Sequence, residues 1–117
     1  MFNGLRVLLV EDEALLILLM EEWLEDLDCE VVATASRLDD AILKARNVAV
    51  DVAVLDVNLA GQLSYPVAEI LLERHIPFVF ATGYGKAGLS GSLQHAPVLS
   101  KPYQQEHLAD ALREAIA

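Results

Sequence analysis

The stretch "GLRVLLVEDEALL", residues 4–16, decides how this chain begins to fold. A largely apolar run from Leu5 to Val10 ends in three consecutive acids, and a second apolar run follows at once. A short apolar run with branched side chains predicts a strand that is buried on both faces, as in a parallel sheet. The acids at 11–13 then either cap the following helix or form one wall of a cation site.

Composition limits the kinds of protein that this chain can be. Its 117 residues, 55% hydrophobic and 22% charged, suit one globular domain over residues 1–117. The formal net charge of −10 argues against a nucleic-acid-binding protein, which needs a basic surface. Cys29 is the single cysteine, so no internal disulfide is possible. We expect a cytoplasmic protein without a membrane span, because "ALLILLM" (14–20) is too short to cross a bilayer.

Strand and helix patterns alternate along the rest of the chain. Apolar residues at helical spacing after the acids predict a first helix whose core face holds Leu16, Leu19, Met20, Trp23, Leu24 and Leu27. Further strands are predicted over 30–35, 50–57, 76–82 and 96–100, and helices over 36–47, 65–75 and 103–117. Asp12 and Ser36 are the predicted caps of the first two helices. Four glycines in 83–95 predict a fourth helix that is short or disordered.

Such alternation predicts an α/β fold, with a doubly wound, five-stranded parallel sheet in the flavodoxin-like order 2-1-3-4-5 and helices on both faces. Ligands of such sheets bind at the carboxyl ends of the strands. The residues at or just after those ends are Glu11, Asp12, Asp56, Thr82 and Lys101. We therefore expect three carboxylates, a hydroxyl and an ammonium group to converge at one edge of the sheet.

These five residues together indicate phosphoryl chemistry. Close carboxylates repel one another, and Mg²⁺ removes that penalty while it retains sites for water or phosphate oxygens. The ammonium of Lys101 and the hydroxyl of Thr82 suit phosphoryl oxygens. A carboxylate can itself act as the nucleophile and form an aspartyl-phosphate.

Four motifs, in order and each at a strand end, resemble the receiver domain of response regulators in two-component signalling. They are "VLLVEDE" (7–13), "VAVLDVNLAG" (52–61), the threonine in "FATGY" (80–84) and "LSKPY" (99–103). The resemblance implies that Asp56 is phosphorylated and that Glu11, Asp12, Asp56 and the backbone carbonyl of Asn58 bind Mg²⁺. It also implies that Thr82 and Lys101 contact the phosphoryl group.

The "FATGY" segment is further similar to the signature of a receiver subfamily that contains many single-domain members. This resemblance implies a single-domain response regulator, not an enzyme in the ordinary sense, that takes a phosphoryl group from a histidine kinase or a histidine phosphotransferase. Its output would be a phosphorelay step or allosteric binding of a target protein. An alternative function, from a different class, is that of a pseudo-receiver, an interaction module that is not phosphorylated. A metal-dependent phosphohydrolase is disfavoured, since no general acid or base is placed for it.

Two positions depart from the usual receiver pattern. The aromatic residue expected three positions before the lysine is Val98, so the usual threonine–aromatic switch is absent and Tyr84 becomes the switch candidate. The proline that commonly follows the phosphoacceptor strand is replaced by Ala60.

The first helix also carries apolar residues off its predicted core face, at Ala14, Leu15, Ile17 and Leu18. They indicate either a deeply packed helix or a docking patch beside the acids. Because receivers commonly present this helix to their phosphodonor, Leu15 and Leu18 are the candidate partner contacts.

Overall fold

The structure is a computed structural model that describes residues 2–82, 96–100 and 103–117. In chain order, its elements are β1 (Leu5–Val10), α1 (Ala14–Asp26), β2 (Cys29–Ala35), α2 (Leu38–Asn47), β3 (Val52–Asp56), β4 (Asn58–Leu59), β5 (Gln62–Leu63), α3 (Tyr65–Glu73), β6 (Phe78–Thr82), β7 (Val98–Ser100) and α4 (Gln105–Ile116). The main sheet is parallel, with the order β2-β1-β3-β6-β7. Counted over its own five strands this is 2-1-3-4-5, so the predicted fold and strand order are confirmed. The region of the predicted fourth helix lies outside the described residues.

Two hydrophobic clusters cover the two faces of this sheet. Leu8 and Val10 of β1 belong to the cluster that contains buried residues of α2 and α3. Val7 and Leu9 belong to the opposite cluster, which contains buried residues of α1 and α4. Because successive side chains of a strand point to opposite faces, β1 is buried on both sides, as its apolar run predicted.

Helix α1 packs on the sheet along a stripe that differs from the predicted one. Met20, Leu24 and Leu27 are buried as expected, but Leu19 is 38% exposed and Ile17 packs against the core. Residues 17, 20, 24 and 27 follow the i, i+3, i+7 spacing of a single helix face. Since the run "ALLILLM" is apolar throughout, its pattern could not show which of two neighbouring stripes faces the sheet.

The predicted side-chain caps are absent at both helix starts. Helix α1 has Glu13, and not Asp12, at its N-cap position, and α2 has Arg37, and not Ser36; neither residue makes a side-chain cap hydrogen bond. The Glu13 N–H instead donates to Oε2 of Glu11, over 3.1 Å. The carboxylate of Glu11 thus accepts the N–H of the N-cap residue of α1.

A small hairpin that the sequence patterns did not predict follows β3. Strands β4 and β5 pair antiparallel across a two-residue turn, Ala60–Gly61. Both turn residues have positive φ, 51° and 90°, which is typical of a type I′ turn. The Gly61 N–H donates to the side-chain oxygen of Asn58 over 2.7 Å and closes the turn. Two-residue strands carry too few residues to show an alternating pattern, so they were not detected.

None of the helices in the described ranges is both long enough and apolar enough to cross a lipid bilayer.

At the opposite edge of the sheet from the acids, an ion pair joins β1 to the residue before β3. The backbone N–H and the Nε of Arg6 donate to Oδ2 of Asp51, and its Nη2 donates to Oδ1 at 3.1 Å. Asp51, expected to be a solvated strand-start residue, is half exposed and hydrogen bonded. The hydrogen bonds from Arg6 hold the pKa of Asp51 below its usual value.

We predict that Asp51→Asn reduces the acid sensitivity of folding by a small amount. A carboxyl group with a lowered pKa in the folded state stabilises the fold above its unfolded pKa, which is about 4, and this contribution is lost as the pH falls through the folded pKa. Urea unfolding at pH 7 and at pH 3 measures this contribution to the free energy of unfolding, which is small because the ion pair is exposed. Asp39→Asn is the control, because the Arg37–Asp39 pair is longer, at 3.6 Å. The prediction is contradicted if the free energy of unfolding differs between pH 7 and pH 3 by the same amount in Asp51→Asn as in the wild type.

Candidate functional site

Three carboxylates meet at the carboxyl edge of the sheet. Glu11, Asp12 and Asp56 each offer one oxygen, and these oxygens lie within 4.8 Å of one another. Glu11 and Asp56 are buried, whereas Asp12 is exposed. The cluster therefore has a buried floor and one side open to solvent, which gives a small ion or a phosphoryl group access to it.

The register of the parallel strands brings these residues together. Val10 of β1 lies opposite Leu55 of β3, so the next residues along both strands, Glu11 and Asp56, are neighbours. The Glu11 N–H also donates to the carbonyl of Ala35, the last residue of β2, over 3.0 Å. This bond continues the pairing with β2 by one residue and draws the acid into the sheet.

On its other side, β3 is paired with β6, which carries the predicted hydroxyl. Asp56 lies opposite Ala81, and the next residue, Thr82, is buried opposite Ser100 of β7. The Val57 N–H donates to the Ala81 carbonyl over 3.0 Å. Thr82 is thus one residue further along the neighbouring strand from Asp56, at the same edge of the sheet.

Asp12 accepts a hydrogen bond from the loop that follows β3. Its Oδ2 accepts the backbone N–H of Ala60 over 3.0 Å, which ties the hairpin to the acid cluster. Burial alone raises the pKa of Asp12, but contacts with the Glu11 carboxyl, the Ala60 N–H and the Asp56 carboxyl outweigh it, and the pKa of Asp12 is lowered. The lowered pKa keeps Asp12 negatively charged, and the Glu11 and Asp56 carboxyl groups favour that charge only where they are protonated and donate a hydrogen bond to it.

Asn58 uses its side chain within the hairpin. Its Oδ1 accepts the Gly61 N–H, and its own backbone N–H lies 3.4 Å from Oδ1 of Asp56. The side chain of Asn58 thus stabilises the turn. The main-chain carbonyl of Asn58 keeps the role of proposed metal ligand.

Two of the residues predicted from the sequence lie outside the described residues. Lys101 follows Ser100, the last residue of β7, and Tyr84 follows Thr82 by two positions. The structure brings Glu11, Asp12, Asp56 and Thr82 to the same edge of the sheet, and it makes no statement about the other two.

Tyr103 is a residue near the site that the sequence patterns did not single out. Its hydroxyl donates to the sulfur of Met20 over 3.3 Å, and its ring meets that of Trp23 edge to face at 6.3 Å. Burial raises the pKa of Tyr103, and the carboxylates of Glu11, Asp56 and Glu13 raise it further. It therefore stays neutral between the acids and α1. The one feature of the sequence that could have pointed to Tyr103 is its position directly after Lys101 and Pro102.

The donor set fits a hard divalent cation. Oxygen ligands of an octahedral Mg²⁺, at about 2.1 Å from the ion, lie about 3 to 4.2 Å from each other. The carboxylate oxygens of Glu11, Asp12 and Asp56 are all within 4.8 Å, so small side-chain rotations are enough to reach that spacing. The described residues contain no sulfur or imidazole ligand in this group, which favours Mg²⁺ over softer metals.

Comparison with known proteins identifies one family. The family model of the response regulator receiver domain matches residues 7–113. The solution structure of SdrG from Sphingomonas melonis Fr1 is 39% identical and covers 100% of both chains, with a TM-score of 0.85. The BeF3-activated conformation of SdrG from Pseudomonas melonis Fr1 is 38% identical over 98% of this chain and 99% of that one, with a TM-score of 0.81.

Among curated relatives, the Sensory transduction protein LytT of Bacillus cereus is 28% identical over 94% of this chain. The match covers 46% of LytT, so this chain spans about half the length of that protein. The fold and the family match define the class as a signalling domain, the receiver. The chain belongs to the response regulator receiver domain family.

We predict that Asp56→Asn stabilises the protein when divalent cations are absent. Removal of one buried carboxylate relieves the repulsion within the cluster, and we expect the free energy of unfolding to rise by on the order of 1 kcal/mol in EDTA. Urea unfolding monitored by circular dichroism measures this change.

The matched control is Glu25→Gln, which removes one negative charge from an exposed position on α1. We expect its effect to stay within about 0.5 kcal/mol, as for most surface substitutions. If Asp56→Asn is less stable than the wild type in EDTA, the carboxylates do not repel one another as described.

Proposed function

We propose that this chain accepts a phosphoryl group from a phosphohistidine partner onto Asp56, in a reaction that depends on Mg²⁺. The observation that carries the proposal is the cluster of Glu11, Asp12 and Asp56 in a chain of the receiver family. A cytoplasmic histidine kinase or histidine phosphotransferase is the proposed donor. Phosphorelay or allosteric control of a target protein is the proposed output.

Asp56 is the proposed nucleophile. One of its carboxylate oxygens forms a bond to phosphorus while the bond from phosphorus to the histidine nitrogen breaks, and the bonding pair leaves with the imidazole. The residue is buried at the end of β3, and backbone hydrogen bonds on both neighbouring strands fix its position. A fixed nucleophile favours in-line attack, because little motion has to be frozen when the donor arrives.

The other polar residues of the edge have supporting roles in this proposal. Asp12 would hold the metal directly, Glu11 would hold it through water, and Asn58 would contribute its main-chain carbonyl. Thr82 and Lys101 contact the phosphoryl oxygens. When bound, Mg²⁺ neutralises the negative charge that the carboxylates and the phosphoryl group bring together.

The second candidate function, a pseudo-receiver that acts by binding alone, is less well supported. Glu11, Asp12 and Asp56 form a compact donor set, and Thr82 and Lys101 are both present in the sequence. A protein that used only the fold as a binding surface would have no need to keep three mutually repelling carboxylates together.

We further propose that α1 presents the docking surface for the phosphodonor. Leu15 is 80% exposed and Leu18 63% exposed, and both lie on the helix that begins directly after the acids. Exposed leucines close to a reactive carboxylate suit an apolar contact with a helical partner, which would bring its phosphohistidine near Asp56.

Asp56→Ala and Asp56→Asn are expected to abolish covalent labelling by acetyl phosphate or by a phosphorylated kinase. Both substitutions remove the nucleophilic oxygen anion. Phosphate-affinity electrophoresis with and without Mg²⁺ measures labelling, and EDTA is expected to suppress it in the wild type. Asp51→Asn, at the opposite edge of the sheet, is the control and should label normally. Labelling that persists in both Asp56 variants would overturn the proposal, and so would a wild type that never labels.

Leu15→Asp and Leu18→Asp are expected to slow phosphoryl transfer from a kinase by about tenfold or more, because each places a charge in an apolar contact. The same variants should react with acetyl phosphate at the wild-type rate, since a small donor needs no docking. Leu43→Asp is the control, because Leu43 is 60% exposed on α2. An unchanged kinase rate in both α1 variants would contradict the docking role.

A further inference from the structure

Ala60 makes a contact between two distant parts of the chain. Its backbone N–H donates to Oδ2 of Asp12 over 3.0 Å, although 48 residues separate the two in sequence. The hydrogen bond thus links the loop after β3 to Asp12, which lies two residues after the end of β1. It binds the hairpin to the carboxylate cluster.

The conformation of Ala60 is one that alanine rarely adopts. Its φ is 51°, in the left-handed region, where the β-carbon crowds the following carbonyl. This conformation aims the N–H toward Asp12. An unfavourable backbone conformation persists only where the surroundings impose it, so the contacts on both sides of Ala60 must outweigh the strain.

Those contacts come from the hairpin itself. Asn58 pairs with Leu63 and Leu59 with Gln62, while the Asn58 side chain accepts the Gly61 N–H. At the base, the Ser64 N–H donates to the Val57 carbonyl over 2.8 Å. The direction of the Ala60 N–H is thus set by the loop and not by Asp12.

We propose that hairpin 58–63 positions Asp12 for the divalent cation, through the single hydrogen bond from the Ala60 N–H. The N–H occupies one carboxylate oxygen and fixes the orientation of the group, so that the other oxygen is presented to the cluster. Ala60 is accordingly a positioning residue for the metal site. This inference rests on the proposed function, since it assumes that the cluster binds Mg²⁺.

The proposal also explains why the proline common in receivers is absent here. Proline has no N–H to donate, and its ring holds φ near −65°, far from the 51° that Ala60 adopts. A proline at position 60 would remove the hydrogen bond and oppose the turn at the same time. Glycine keeps the N–H and adopts positive φ without strain.

The test compares Ala60→Pro with its matched control, Ala60→Gly, by titration with Mg²⁺ in an isothermal calorimeter. We expect Ala60→Gly to bind Mg²⁺ as tightly as the wild type or up to about threefold more tightly. We expect Ala60→Pro to bind about tenfold more weakly, with an unchanged circular dichroism spectrum. Equal Mg²⁺ affinity in the wild type and Ala60→Pro would overturn the proposal.

A second measurement uses the wild type alone and does not depend on whether Ala60→Pro folds. Coupling is reciprocal: a hydrogen bond that tightens Mg²⁺ binding is itself strengthened by Mg²⁺. A tenfold effect on affinity therefore requires about tenfold slower hydrogen exchange at the Ala60 amide in saturating Mg²⁺, measured by NMR. An unchanged Ala60 exchange rate in a wild type that binds Mg²⁺ would refute the positioning role and leave the proposed function intact. A wild type that binds no Mg²⁺ would refute both.

Discussion

Repulsion among three carboxylates is the constraint on which the local structure of this protein depends. Glu11, Asp12 and Asp56 have oxygens within 4.8 Å of one another, and two of these residues are buried. Three backbone N–H groups lie against them: Glu13 donates to Glu11, Ala60 donates to Asp12, and Asn58 lies near Asp56. Each N–H favours the ionised form of its acceptor. The loops after β1 and β3 thus have conformations that solvate these acids.

This constraint accounts for features that would otherwise count as local defects. Glu13, the N-cap residue of helix α1, makes no side-chain cap hydrogen bond, and the carboxylate of Asp12 directly before it accepts the Ala60 N–H. Ala60 adopts a left-handed conformation in a turn where glycine or asparagine is the usual residue. Both features reduce stability locally, and both lie in contact with the cluster. Local rules are commonly broken at functional sites, where the geometry of the site outweighs local preference.

The strands and the edge residues could be predicted because their signals are strong and local. The apolar run at β1 and the acids at its end occupy adjacent positions, and parallel register then requires Glu11 and Asp56 to be neighbours. Other features were beyond sequence reasoning for physical reasons. Hairpin 58–63 is too short to show periodicity, and the stripe that α1 presents to the sheet depends on packing within a uniformly apolar segment. Tyr103 reaches the acids through the tertiary fold alone.

Val98 bears on how a change at Asp56 is transmitted through the molecule. Val98 is half-buried and pairs with Phe80. Because this residue is a valine, β7 has no aromatic ring at this position that could turn between two orientations. Two connections from the acids are present among the described residues. One is the hydrogen bond from the Ala60 N–H to Asp12, which links hairpin 58–63 to the cluster. The other is electrostatic, since the charges of Glu11 and Asp56 raise the pKa of Tyr103, whose hydroxyl and ring contact Met20 and Trp23 of α1. A change of charge at Asp56 would therefore act on the hairpin and on α1 through these two connections.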